Sequence, residues 1–177
     1  MQVQSERIQY INRFNDLEES KVIEEVKRCC SSQKWAQDFI KKRPFSSWDD
    51  MLKASETIWF QLSKEDWLEA FNGHAKIGDL NSLKKKYNNT KNWSEGEQKG
   101  VQETPESVLK ELKTLNDLYE KKYAHIFIVC ATGKTAEEML SILKTRMNND
   151  PDEELKKAAE EQNKITNLRL EKLLWEL

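Results

Sequence analysis

A histidine between two glycines and an arginine on the inner line of a helix are the residues of this chain best placed to do chemistry. His74 lies in the run 71–79, FNGHAKIGD, bounded by Gly73 and Gly78. Imidazole has the unperturbed pKa nearest neutrality, so a histidine held in a turn is a candidate general acid or base. A solvated loop histidine, or one that caps a helix end, carries the same signature. In the last helical stretch Leu155, Ala158, Ala159, Gln162, Ile165, Thr166, Leu170 and Leu173 follow one another by three- and four-residue steps. Arg169 falls inside that stripe, so its side chain is expected to face inward. A guanidinium so placed needs an anionic or hydrogen-bonding partner. Glu97, an interface carboxylate or an anionic substrate would serve, and a structural ion pair explains the position equally well.

Two further segments bear on a site. Ser94-Glu95-Gly96-Glu97-Gln98 reads as a helix start, with Ser94 as cap and Glu97 at the third position. First-turn amides favour negative charge, including a ligand's; the same spacing is also that of an ordinary capping box. Phe127-Ile128-Val129-Cys130-Ala131 is the core of the one apolar, β-branched run. Extended between two helices, its backbone groups would need partners, which a planar ligand rich in amides could supply. A buried helical segment or a packed strand is the plainer reading. His125, at the end of a helix, is favoured there by the dipole without any catalytic role. Lys84-Lys85-Lys86 is a solvated run, and the six tryptophans are scattered as core and interface anchors.

The elements that must position these residues read as helices. The 177 residues suit one domain, residues 1–177, and contain only 5 glycines and 3 prolines, too few for a hairpin-rich fold. Short helices are expected around Ile8, Ile11 and Phe14, and over 17–30. Further helices follow caps at Ser32, Ser47 and Ser63, and Arg43-Pro44-Phe45 breaks the pattern. Asn72-Gly73 supplies residues that tolerate a left-handed helix end. Residues 79–93 suggest a short helix or exposed loop, and a helix from Glu95 runs to about Glu103. Pro105 suits the first turn of a long helix carrying Val108, Leu112, Leu115, Leu118 and Tyr119. Thr135 caps a helix to about Asn149, and Asp150-Pro151 opens the last one. The fold class is therefore all-α, a single compact multi-helix domain.

Composition excludes several functions. The net charge of −2 gives no basic footprint for nucleic acid, and no apolar run is long enough to span a membrane. Three cysteines, adjacent Cys29 and Cys30 and distant Cys130, form no disulfide framework and fit a reducing cytoplasm. With two distant histidines, no metal site is expected.

Taken in order, these features resemble the 2-oxo-4-hydroxy-4-carboxy-5-ureidoimidazoline (OHCU) decarboxylase family of urate degradation. The matching segments are Arg43-Pro44-Phe45, FNGHAKIGD, Ser94 to Gln98 as S-x-x-E-Q, LNDLYEKKY at 115–123, FIVCA at 127–131 and KITNLR at 164–169. The resemblance implies an all-helical homodimer, free of metal or organic cofactor, that converts OHCU to (S)-allantoin with loss of carbon dioxide. It implies His74 as proton donor, with Glu97 and Arg169 as its catalytic partners. Ser94, Glu95, Gly96 and Gln98 carry over as substrate contacts, as do Phe127, Ile128, Val129, Cys130 and Ala131. Two departures stand out. Ala75 replaces the proline that often follows the histidine, though its backbone can still contact a ligand. Tyr123-Ala124 replaces the usual phenylalanine-glycine, which puts the local backbone in question.

The chemistry suits such a site. Decarboxylation leaves a carbanion that the substrate's own ring delocalises, so the protein must hold the substrate, balance charge and deliver one proton. A carboxylate at Glu97 would raise the pKa of His74 and keep it protonated. The alternatives are a non-catalytic helical interaction module and a related enzyme acting on another ureido acid.

Overall fold

The structure, a computed structural model, describes residues 2–75 and 104–177, with side chains from residue 6 onward. Eight helices are present among the described residues: α1 Gln2–Asp16, α2 Glu19–Cys29, α3 Gln33–Ile40, α4 Trp48–Gln61, α5 Lys64–Asn72, α6 Glu106–Tyr123, α7 Ala136–Arg146 and α8 Pro151–Glu176. No strand occurs among those residues. The fold is all-α, as the periodicity requires. Residues 79–93 and the helix expected after Ser94 lie outside the described residues.

Local chemistry starts most of these helices. Ser32, Ser47, Ser63 and Thr135 each accept a hydrogen bond from a first-turn amide, those of Trp35, Asp50, Asp66 and Glu138. Ser63 with Asp66 and Thr135 with Glu138 close reciprocal capping boxes. Each such cap contributes about 1 kcal/mol. Pro105 sits one position earlier than expected. It precedes the helix, and its carbonyl accepts the amides of Val108 and Leu109.

Two compact units emerge. The first comprises Met1–His74, Ile128–Cys130 and Ala158–Leu177. Its centre is aromatic: Phe39 stacks between Trp35 and Phe45 at 4.9 and 5.1 Å, with Phe14 tilted against the same ring. Buried indoles satisfy their N–H groups on backbone carbonyls, Trp35 on Ser55 and Trp59 on Ala159 at 2.9 Å. The Trp59 bond ties α4 to α8 at the place where the site helix begins its inward stripe. The Arg43–Pro44 peptide is cis. Arg43 donates to the carbonyls of Phe14, Asn15 and Leu17, satisfying the frayed end of α1. Ile8 is exposed, and the buried line on α1 is Ile11 and Phe14.

The second unit comprises Ala75–Phe127 and Ala131–Lys157. On α6 the buried line is Leu109, Leu112, Asn116, Tyr119 and Tyr123. Leu118 is exposed. The line runs through Asn116 instead because its amide donates back to the carbonyl of Leu112 and so carries no unpaired polar group into the interior. The interior holds an ion pair: Arg146 and Glu154, both buried, lie 2.5 Å apart, with the Tyr119 hydroxyl donating to the same carboxylate.

Helix α6 ends on Ala124, whose φ of 59° is left-handed. This is one of the two departures noted above, and the backbone answers it: alanine takes the conformation that glycine adopts freely. An L-residue there costs about 1–2 kcal/mol, and glycine gives back part of that gain in chain entropy. Ala124→Gly is therefore expected to stabilise the protein by about 1 kcal/mol, seen as a higher denaturation midpoint at unchanged m-value.

Candidate functional site

His74 is presented by the end of α5. Gly73 caps that helix with φ −74° and ψ −12°, a right-handed conformation and not the left-handed one expected of Asn72-Gly73. The glycine is required for another reason. A Cβ at residue 73 would lie 2.1 Å from Ser31 Oγ and 2.4 Å from Ser31 Cβ. The loop is thus pressed against the α2–α3 connection, and His74 is fixed next to it by its amide bond to the carbonyl of Phe71 at 3.1 Å.

The imidazole is half-buried. Its Nε2 lies 2.5 Å from Gln162 Oε1 on α8. Gln162 is wholly buried and its Nε2 donates to Thr166 Oγ1 one turn on, at 3.1 Å. Burial first, and the Arg169 guanidinium second, push the His74 pKa below its ordinary 6.5, while the Gln162 oxygen opposes them. The expectation of a raised pKa rested on Glu97, which lies outside the described residues together with Ser94, Glu95, Gly96 and Gln98. Among the described residues the surroundings of His74 act in the opposite direction, because desolvation and a neighbouring cation both disfavour imidazolium.

Arg169 corrects the inward reading. Leu170 and Leu173 beside it are buried, as are Ala158, Ala159, Gln162 and Thr166, but Arg169 itself is exposed. It stands on the edge of the stripe, and its long stem carries the charge out to water. The guanidinium donates to the carbonyl of Arg28 at 3.5 Å, at the end of α2. It also lines a groove of about 180 Å³ with Arg28, Lys172, Glu25, Glu176 and Cys29. Its field nevertheless reaches His74, Cys29 and Cys30. Imidazole and guanidinium are therefore electrostatic neighbours within the first unit.

The run 126–131 is neither helix nor strand. Its backbone is nonetheless partly provided for. The Cys130 amide donates to the buried Glu161 carboxylate at 2.8 Å, and that carboxylate also takes Lys164 at 2.6 Å. Cys130 N–H is thus engaged by the protein itself. Ile128 and Cys130 are buried, and Val129 is partly exposed. Phe127, in the second unit, lies under the Arg146 guanidinium at 4.6 Å. Ala131 is partly exposed and Ala75 exposed. His125, given little functional weight, is buried against Tyr119 and Tyr123.

Helix α8 organises this region. Successive residues Glu161 and Gln162 take Cys130 and His74, and Arg169 follows two turns later. Sequence reasoning placed Gln162 on the stripe but missed both acceptors as site residues. The available signal was a carboxylate and an amide on the apolar side of a helix, where each must have a partner. Among the described residues no cluster of histidine, cysteine or acidic side chains could hold a metal ion, and no helix is long and apolar enough to cross a membrane.

Comparison with known proteins gives consistent results. The sequence model for OHCU decarboxylase matches residues 15–171. The Arabidopsis thaliana uric acid degradation bifunctional protein TTL is 40% identical over 151 residues, which cover 85% of this chain and 46% of that protein. The chain thus spans about half the length of that curated relative. The 2-oxo-4-hydroxy-4-carboxy-5-ureidoimidazoline decarboxylase of Halalkalicoccus jeotgali is 23% identical over 92% of this chain and 90% of its own length. A crystal structure of OHCU decarboxylase in the presence of (S)-allantoin superposes with a TM-score of 0.68 at 40% identity, covering 84% of this chain and 95% of that one.

Proposed function

The chain belongs to the OHCU decarboxylase family, and from that premise we propose that it decarboxylates OHCU to (S)-allantoin as a step of urate degradation. Residues 1–177 act as one domain of this family, without a cofactor. The observation that carries the proposal is the placing of His74, an imidazole held by Gln162 within the field of Arg169. One group can give a proton and the other can balance an anion.

The steps follow from these groups. Arg169, exposed at the edge of α8, takes the substrate carboxylate or the charge that replaces it. The bond from ring carbon to carboxylate breaks, carbon dioxide leaves, and the electron pair spreads into the conjugated ring. Imidazolium at His74 gives its proton to that carbon from one face, which sets the stereocentre, and solvent restores the proton. Glu97 orients the substrate. Ser94, Glu95, Gly96 and Gln98, the backbone of Ala75, and Phe127, Ile128, Val129 and Ala131 grip the ring and ureido group. Cys130 contributes through its carbonyl or side chain, since its amide is already bonded to Glu161. A homodimer in the cytoplasm is part of the same proposal, supported by the family resemblance and, for the compartment, by three buried cysteine thiols.

Circular dichroism of freshly generated OHCU tests this directly. Spontaneous decay gives racemic allantoin and no final signal. With the protein present, OHCU is expected to disappear faster and leave a persistent one-handed signal. Unchanged decay with a racemic end point would exclude the decarboxylase reading.

A further inference from the structure

Gln162 is buried on α8 beside Ala158, Ala159 and Thr166, and its two ends are differently engaged. The Gln162 amide NH₂ donates to Thr166 Oγ1 at 3.1 Å. The amide oxygen is therefore the end that meets His74 Nε2 at 2.5 Å. An oxygen there accepts, so Nε2 must carry a hydrogen.

We propose that Gln162 is the positioning residue of His74: the pair Thr166–Gln162 holds the proton on Nε2 and leaves Nδ1 as the nitrogen that gives up and regains the reacting proton. This rests on the proton-donor reading of His74. Decarboxylation transfers one proton from Nδ1 to the ring carbon. The remaining neutral imidazole is then already the Nε2–H tautomer, and no internal proton shift is needed before solvent reprotonates Nδ1. Fixing tautomer and ring orientation through a second residue is how a histidine is kept on one task. Among the described residues Arg169 is the charged side chain whose field reaches the ring, and the thiols of Cys29 and Cys30 beside it are neutral.

Nitrogen NMR of ¹⁵N-histidine-labelled protein reads the tautomer without any assay. The chain has two histidines, so a His74→Gln spectrum assigns the signals. Above the His74 pKa the expected pattern is a pyrrole-type Nε2 and a pyridine-type Nδ1. Gln162→Leu is expected to let the tautomers average and to lower kcat by about 10- to 100-fold with little change in KM. It also moves the alkaline limb of the pH profile down, because the accepting oxygen is gone. Gln162→Glu moves that limb up, because a carboxylate stabilises imidazolium. A purely structural role would not send one position's two variants in opposite directions. A wild-type spectrum with the proton on Nδ1, or a tautomer mixture, overturns the inference while leaving the donor role of His74 intact. A His74→Ala protein with full turnover overturns the donor role itself, and the positioning role falls with it.

Discussion

Replacing His74 with alanine is expected to slow OHCU decarboxylation by about 100- to 10,000-fold, the range for loss of a general acid. The residual product should be racemic, because the proton then comes from solvent on either face. The pH profile of the unaltered protein makes the same role visible. Burial and the Arg169 charge hold His74 below 6.5 in the free protein, and the acid must be imidazolium. Activity measured as kcat/KM is therefore expected to fall as pH rises through that lowered value. Once the anionic substrate sits against Arg169, that cation no longer opposes protonation, so the limb in kcat lies at higher pH than the limb in kcat/KM. Coincident limbs would mean that Arg169 does not meet the anion. Stability carries the same signature. The unfolded chain binds more protons than the folded one between the folded pKa and 6.5, so stability rises with pH through that window and is lost as pH falls. His74→Ala removes this slope, which separates a titration effect from misfolding when far-ultraviolet dichroism is unchanged.

What the sequence made legible was what is local. A serine or threonine three residues before an amide caps its own helix, and four such starts are where the spacing put them. The stripe on α8 is likewise a property of 3.6 residues per turn, and Leu155, Ala158, Ala159, Gln162, Thr166, Leu170 and Leu173 are all buried. What failed depended on partners far along the chain. Gly73 answers to Ser31, not to the turn of its own helix. Periodicity fixed the direction of the Arg169 Cα–Cβ bond but not the end of a long side chain, which reaches water. The line on α6 passes through Asn116 and misses Leu118, since an asparagine that bonds its own helix can be buried. The partner of His74 stands 88 positions away on another helix. Polarity inside an apolar stripe announced that Gln162 needed a partner but could not say which.

The largest effect on stability is expected at the ion pair of the second unit. Glu154 is fully buried and receives Arg146 Nε at 2.7 Å, Asn149 Nδ2 at 2.9 Å and the Tyr119 hydroxyl. Burial and the hydrogen bond to this carboxylate both push the Tyr119 phenol up, so it stays a donor. Glu154→Ala removes the carboxylate that Arg146 meets in the interior, and is expected to cost about 3–5 kcal/mol. In a protein of this size that lowers the melting temperature by roughly 10 °C. Replacing both partners, Glu154→Leu with Arg146→Met, should cost much less, because no charge is then stranded. A double variant as unstable as the single one would mean that shape, and not charge, makes the cluster necessary. The consequence reaches function through Phe127. Arg146 holds its guanidinium over that ring at 4.6 Å, at the second residue of the run 126–131, while Glu161 holds the same run at Cys130 in the first unit. Glu154→Ala frees the first anchor and leaves the second. If the run grips substrate as proposed, the variant should show a raised KM at temperatures where it is still folded, with the handedness of the product kept because His74 is untouched.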